Sequence, residues 1–133
     1  MPLIPLAARP LGPEPAFLAP EAAREVPGPV AVDLPTDADP RALADPLDRA
    51  AAIRITFANF ADGRGFGLAR RLRDLGFRGR LRAAGWLLPD QKAHARACGF
   101  DEIELAPDLL ARHGAAAWDR EAAAPPYRRR RSA

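Results

Sequence analysis

The sequence predicts a small α/β protein, with a parallel sheet of about four strands in β-α-β-α-β-α-β-α order, as an open sheet or a half-barrel. Three observations predict it. Short β-branched and apolar runs alternate with stretches whose leucines recur at helical spacing. Two predicted helices stop in the same way, at Gly76-Phe77 and Gly99-Phe100, each just before a candidate strand. Glycine at C′ followed by an apolar C″ is the signature of a Schellman cap. A loop with three glycines, Gly63-Arg64-Gly65-Phe66-Gly67, joins a strand to a helix. Alternation of this kind implies parallel strands joined by right-handed crossovers.

Residues 1–29 hold eight of the 15 prolines. Proline removes donors and disfavours both helix and central strand. This stretch reads as an extended, weakly ordered arm, with Leu3-Ile4-Pro5-Leu6 able to dock on the body and one helical turn at Pro20 to Glu25. Residues 30–118 read as the single α/β domain. Val30 to Leu34 is its first strand. Asp39 then caps a helix with Pro40 at N1, and Leu43 and Leu47 share a face. Pro46 demands a kink or a restart, with Asp45 as a second cap.

Ala52 to Phe57 is the second strand. The glycine loop follows, and then a helix from about Phe66 to Leu75 carrying Leu68, Leu72 and Leu75 on one stripe. Gly79 to Gly85 is the third strand and the least apolar. Leu87 to Cys98 is the third helix. Glu102 to Ala106 is the fourth strand, and its alternating glutamates predict a sheet edge. Pro107 to His113 is the last helix, stopped by Gly114. Residues 119–133, with Pro125-Pro126 and Arg128 to Arg131, read as a disordered Arg-rich tail.

A chain of 133 residues with 48% hydrophobic content is one domain by length and can bury a core. The net charge of +3 permits an anionic partner without requiring one. Its 19 arginines against a single lysine carry little weight, because coding composition produces the same bias. One cysteine, Cys98, excludes an internal disulfide and a cysteine-ligated iron–sulfur cluster within one chain. Two histidines far apart disfavour a zinc site, so no metal is expected. No apolar run approaches the ~20 residues of a membrane span. The N-terminal residues lack a basic n-region and are broken by Pro2, Pro5 and Pro10, unlike a secretory signal. The expectation is a soluble cytoplasmic protein. Nucleic acid is not an expected partner, because no aromatic residues interleave the arginine run.

In parallel α/β sheets, ligands bind at the carboxyl ends of the strands. That rule selects Asp33, then Asn59, Asp62 and Arg64, then Arg82, Trp86, Asp90 and Gln91. The glycine loop is the best candidate, since free N–H groups at a helix start favour an anion. Gly63 and Gly65 let the backbone approach such a ligand. Each residue also has a plainer reading. Asp62 is first a turn former or cap. Arg64 either clamps an oxyanion or pairs with Asp62 or Asp90. Asp90 reads as a cap of the third helix, and Gln91 as either a buried hydrogen bond to a loop or a ligand contact. Arg82 points to solvent by default. Cys98 reads as a small core residue, with no base placed beside it. His94 and His113 read as exposed. The loop is not the dinucleotide fingerprint, because Leu68 occupies the third-glycine position.

These residues also carry a family resemblance. Asp62-Gly63-Arg64-Gly65-Phe66, Ala69-Arg70, Leu81-Arg82-Ala83 with Gly85, Asp90-Gln91 and Cys98-Gly99-Phe100-Asp101 resemble bacterial domain-of-unknown-function family 934. Its members look like D-G-R-G-[FY]-S-x-A-R, L-R-A-x-G-D-x-x-x-D-Q and R-x-C-G-F-D in the same order. The similarity covers residues 30–105 and is specific as a set. Gly67 replaces the family's usual serine, Trp86 its aspartate and Ala58 its proline. The Trp86 replacement removes a carboxylate from the end of the third strand, and Gly67 removes a hydroxyl from the loop.

Members are encoded beside assimilatory sulfite reductase and labelled as oxidoreductases of sulfite reduction. The resemblance therefore implies an accessory protein of assimilatory sulfate or sulfite reduction, binding a small oxyanion or docking to sulfite reductase. Its alternative is an oxidoreductase using an organic cofactor. No catalytic residue and no particular cofactor is assigned. Carried over by position, the motif residues are Asp62, Gly63, Arg64, Gly65, Arg82, Gly85, Asp90, Gln91 and Cys98.

Overall fold

The computed structural model describes residues 3–7, 12–43 and 47–119. The elements run β1 (Leu3–Pro5), β2 (Phe17–Leu18), α1 (Pro20–Arg24), β3 (Val30–Pro35), a 3-10 turn (Pro40–Leu43), β4 (Ala50–Phe57), α2 (Arg64–Asp74), β5 (Arg80–Gly85), a second 3-10 turn (Pro89–Gln91), α3 (Lys92–Ala97), β6 (Glu102–Leu105), α4 (Leu109–His113) and α5 (Ala115–Asp119). The strands form one sheet in the order β1-β6-β5-β4-β3-β2. The sheet is not closed. All pairings are parallel except β1 with β6. The α/β class and the parallel centre agree with the sequence expectation. The strand count does not, because there are six strands rather than four.

The two additional strands come from the proline-rich arm. Ile4 lies opposite Ile103 in β1, and Phe17 lies opposite Ala31 in β2. Both strands are at sheet edges, where a missing proline N–H can face away from the ladder. This placement overturns the expectation that β6 is an edge. β6 lies between β5 and β1, and Glu102 and Glu104 are buried. Asp39 does cap its turn, with the Arg41 N–H donating to Oδ1 at 3.0 Å. The predicted restart at Asp45 and Pro46, and the Arg-rich run in the tail, lie outside the described residues.

Sequential strands from β2 to β6 are neighbours, so right-handed crossovers place the helices on one face. The residues agree. Val32, Leu34, Ile53, Ile55, Phe57, Leu81, Ala83, Ile103 and Leu105 alternate along the strands and are buried with Phe66, Leu68, Leu72, Leu87, Ala95, Leu109 and Trp118 in one core. Phe57 is the hub, with its ring centroid 5.1 Å from Phe66 and 6.1 Å from Phe100. The other alternation places Asp33, Arg54, Arg82 and Glu102 in one row across four strands.

Both Schellman caps form. Phe77 N–H donates to Leu72 O at 3.0 Å, and Phe100 N–H to Ala95 O at 3.1 Å, with Gly76 and Gly99 both at φ 105°. Arg73 ties the two caps together. It donates to Gly99 O, Phe77 O and Gly79 O, and pairs with Asp101 at 3.1 Å. The predicted third helix is in two pieces. The Leu88-Pro89 step favours an extended Leu88, and a 3-10 turn precedes α3.

The glycine loop packs more than it bends. A Cβ on Gly65 would lie 2.3 Å from the Phe57 ring, whereas one on Gly67 would meet nothing within 4 Å. Gly65→Ala is therefore expected to destabilise the fold by about 1–3 kcal/mol through overpacking. Gly67→Ala is expected to stabilise it by about 0.5–1 kcal/mol through helix propensity. Urea unfolding of the two variants checks the opposite signs.

Candidate functional site

The carboxyl ends of β3, β4 and β5 present a rim built from three loops. Thr36 follows β3, residues 58–63 follow β4, and Trp86 to Gln91 follow β5. At its centre is Asp62. Arg64 holds it with Nε at 2.8 Å from Oδ1 and a terminal nitrogen at 3.0 Å from Oδ2, and the Arg64 backbone N–H adds a bond of 3.3 Å. The Thr36 hydroxyl donates to Oδ2 from the neighbouring loop. The Asp62 side chain is 10% exposed and the Arg64 side chain 65%. The Arg64 guanidinium, and then the Thr36 hydroxyl, hold the Asp62 carboxyl well below its ordinary value of 3.8. Asp62 is thus an ionised anchor and not a proton donor at neutral pH.

This arrangement qualifies the anion expectation. The first anion at the start of α2 is the chain's own Asp62 carboxylate, favoured there by the helix dipole and the free N–H groups. Arg64 takes the alternative of pairing with Asp62. Its long exposed side chain still leaves one face of the guanidinium toward solvent.

Gln91 also acts within the protein. Its Oε1 accepts the Leu88 N–H at 2.8 Å, and its Nε2 donates to Phe60 O at 3.1 Å. One side chain thereby caps the turn after β5 and fixes the loop after β4. The bond to Phe60 O is the loop contact that is one of the two readings of Gln91, and the capping is the role expected of Asp90, which is instead exposed in the first turn. Gln91 has the reach and both hydrogen-bonding polarities, which a carboxylate lacks.

Trp86 follows Gly85, whose φ of 100° and close approach to Phe57 O exclude a side chain there. The turn directs Trp86 against Phe60, with centroids 5.6 Å apart and the rings edge-on. Arg112 from α4 lies 5.8 Å above Trp86. Phe60 and Trp86 are half-buried, and Arg64, Asp90 and Arg112 are exposed.

Arg82 is not on this rim, and its expected exposure is overturned. It lies mid-strand on the second sheet face and is 1% exposed. Nε donates to Glu102 at 2.7 Å, one terminal nitrogen to Glu104 at 2.6 Å, and the outer edge binds both oxygens of Glu14 at 2.6 and 2.8 Å. Burial works against the charge, but these carboxylates outweigh it and raise the guanidinium pKa. Arg80 pairs with Glu102 at 2.7 Å, and Arg54 with Asp33 at 3.0 Å and Glu104 at 3.3 Å. The Phe17 ring stacks on Arg54 and Arg82 at 4.6 and 4.9 Å. Asp33, expected on the rim, belongs to this face. The network has a sequence signal. Arg80-x-Arg82 and Glu102-x-Glu104 on successive strands each put two like charges on one face, and the register sets Arg82 opposite Glu102.

Cys98 is buried in the core, as expected. It does have a base nearby, with the His94 ring nitrogens 3.8–3.9 Å from Sγ, one helical turn back. Burial raises the thiol pKa, which keeps it protonated and unreactive. His94 also packs on Phe66 at 4.5 Å. Among the described residues, no group of three or more His, Cys, Asp or Glu side chains is placed to hold a metal ion. No helix among them is long and apolar enough to cross a membrane.

Fold and rim define a class: an open, mostly parallel α/β sheet with one helical layer and an aromatic–arginine rim at its strand ends. The chain belongs to the family described as "Bacterial protein of unknown function (DUF934)", whose model matches residues 31–127. No curated protein and no solved structure matches the chain.

Two outcomes are expected from this geometry. Asp62 should stay ionised as the pH falls through 3.8, because its folded pKa is depressed. The clamp's contribution is fully present above the unfolded value and is lost progressively as the pH falls from there through the lower folded one. Carboxyl carbon NMR shifts would show no Asp62 step near pH 3.8. Arg82→Met should cost about 3–5 kcal/mol in urea unfolding, because it strands buried carboxylates.

Proposed function

We propose that this chain is an accessory protein of assimilatory sulfate or sulfite reduction that docks to sulfite reductase through the strand-end rim and presents Arg64 to a small oxyanion. The single observation that carries the reading is the rim itself. An edge-on Phe60–Trp86 pair carries the exposed Arg112 over Trp86, and the exposed Arg64 follows the same loop that holds Phe60. Half-buried aromatics beside arginines have the composition of protein-binding hot spots. The position of the rim also fits the rule that parallel sheets bind ligands at their strand ends.

Asp62 orients the Arg64 fork, Thr36 and Gln91 fix the two loops, and Asp90 borders the surface. Gly65 lets the loop pack against Phe57 of the sheet, whereas Gly63 has open space where a side chain would be. Membership of the family supports the link to sulfur through the gene neighbourhood that the resemblance implies. Within this reading Trp86 takes over the place of the family's aspartate as a contact residue, which favours docking over acid–base chemistry.

The test is retention of purified sulfite reductase by the tagged full-length chain, together with calorimetric titration of sulfite. Retention is expected, with at least a tenfold loss of affinity in Trp86→Ala and in Arg64→Ala. Absence of both reductase retention and sulfite heat sinks the proposal. Recovery of a bound flavin or nucleotide without reductase moves the case to the oxidoreductase alternative.

A further inference from the structure

A second site lies on the other face of the sheet, away from the strand-end rim. Residues 12–18 cross that face as a strap and pair with β3 over only two residues, Phe17 and Leu18. The strap is held by charge. The Glu14 carboxylate meets the Arg82 guanidinium as a two-point fork, its second oxygen lies 3.9 Å from Arg80, and Arg80 donates to Pro13 O at 3.0 Å. Glu14 is nevertheless 59% exposed, whereas Arg82 beneath it is 1% exposed.

The charges explain why Glu14 is the replaceable member. Arg54, Arg80 and Arg82 are balanced by Asp33, Glu102 and Glu104, all from the sheet itself. Among the described residues, Glu14 is a fourth carboxylate beside three arginines and three sheet carboxylates. It is the one that water reaches, and it comes from a segment with minimal backbone pairing. Its loss keeps the arginines matched by the sheet carboxylates but leaves the outer N–H edge of Arg82 without an acceptor. That edge then offers two N–H donors to water or, more strongly, to another anion.

Space for such an anion adjoins the latch. A groove of about 500 Å³ runs beneath the strap toward the amino ends of the strands. Glu14 and Arg80 stand at its polar side, and Leu18, Val26, Ala31 and Ala52 supply an apolar wall. That volume, with apolar lining and a few convergent charges, has the size and character of a small-molecule pocket.

We propose that this groove binds a small organic carboxylate, whose carboxyl group replaces Glu14 on Arg82 and Arg80 while its apolar body rests on Ala31, Ala52 and Leu18. Glu14 is then an internal stand-in for the ligand, and binding frees the strap. The Arg82 edge is already occupied by a carboxylate in two-point geometry, and the alanine wall favours a ligand with a hydrophobic body. Because Glu14 competes for the site, the intact chain binds more weakly than one without it.

The experiment titrates the full chain and Glu14→Ala with acetate, benzoate and sulfate at constant ionic strength. It reads the Nε–H resonances of Arg80 and Arg82 by NMR, and amide exchange at Leu18 in the intact chain. Glu14→Ala should bind benzoate at least tenfold more tightly than the intact chain, with benzoate ahead of acetate and acetate ahead of sulfate. Benzoate should speed Leu18 exchange in the intact chain. Glu14→Gln keeps the side-chain shape, weakens the latch and serves if the alanine variant fails to fold. Equal affinities with and without the Glu14 charge overturn the proposal and leave Glu14 as a structural latch. Sulfate binding equal to that of benzoate also overturns it, as an adventitious ion only.

Discussion

The structure depends on the burial of one guanidinium. Arg82 is in the middle of the central strand β5, and no solvent reaches it to stabilise its charge. A buried cation is tolerable only when its hydrogen-bonding edges are filled by carboxylates. That requirement fixes β6 beside β5 in the register that brings Glu102 and Glu104 to it. It also brings β4, whose Arg54 shares Glu104, and the arm that carries Glu14. A slip of β6 by one residue would turn both of its glutamates to the helical face. The ionic row therefore specifies register more than it adds net stability, since the desolvation of its charges offsets much of their attraction.

The opposite face solves a different problem. Its aromatic and aliphatic side chains bury themselves against one layer of helices around Phe57 and Phe66. The helices are short, so their ends matter as much as their faces. Arg73 answers for two of those ends by filling carbonyls from both Schellman turns and reaching Asp101, which also accepts the Leu81 N–H at 2.9 Å. Lys92 does the same at the other end of the layer, donating to Trp118 O at 2.6 Å and so tying α5 to α3. Arginine and lysine thus serve here as internal fasteners, and the basic composition is a poor guide to surface charge.

This division of labour frees the strand ends. Loops after parallel strands are tied down by Thr36, Asp62 and Gln91 through side-chain hydrogen bonds, so the rim is ordered without being buried. Aromatic and cationic groups can then be displayed there at fixed separations. The sheet's second face instead stays closed by a strap whose strongest tie is a single carboxylate. The two surfaces therefore differ in kind: one is preformed, and the other opens only if Glu14 is displaced.

By itself, the sequence determined the features that depend on neighbours along the chain. The four central strands, the helix from the glycine loop, the Gly-Phe caps and the Asp39 cap rest on propensity, local hydrogen bonds and backbone sterics, all of which act over a few residues. The Asp62–Arg64 pairing is equally local and is legible in the sequence as one of two roles. Tertiary structure decided whatever needs a distant partner. Glu102 and Glu104 have the alternation of an exposed edge, and only the addition of β1 beyond them made β6 interior. Arg82 has the look of a solvent-facing residue until three carboxylates, from positions 14, 102 and 104, converge on it. Leu3–Pro5 and Phe17–Leu18 are too short to be strands alone and become strands by borrowing a partner's ladder. Periodicity tells which face a side chain takes, but what covers that face is set by segments brought together across many residues.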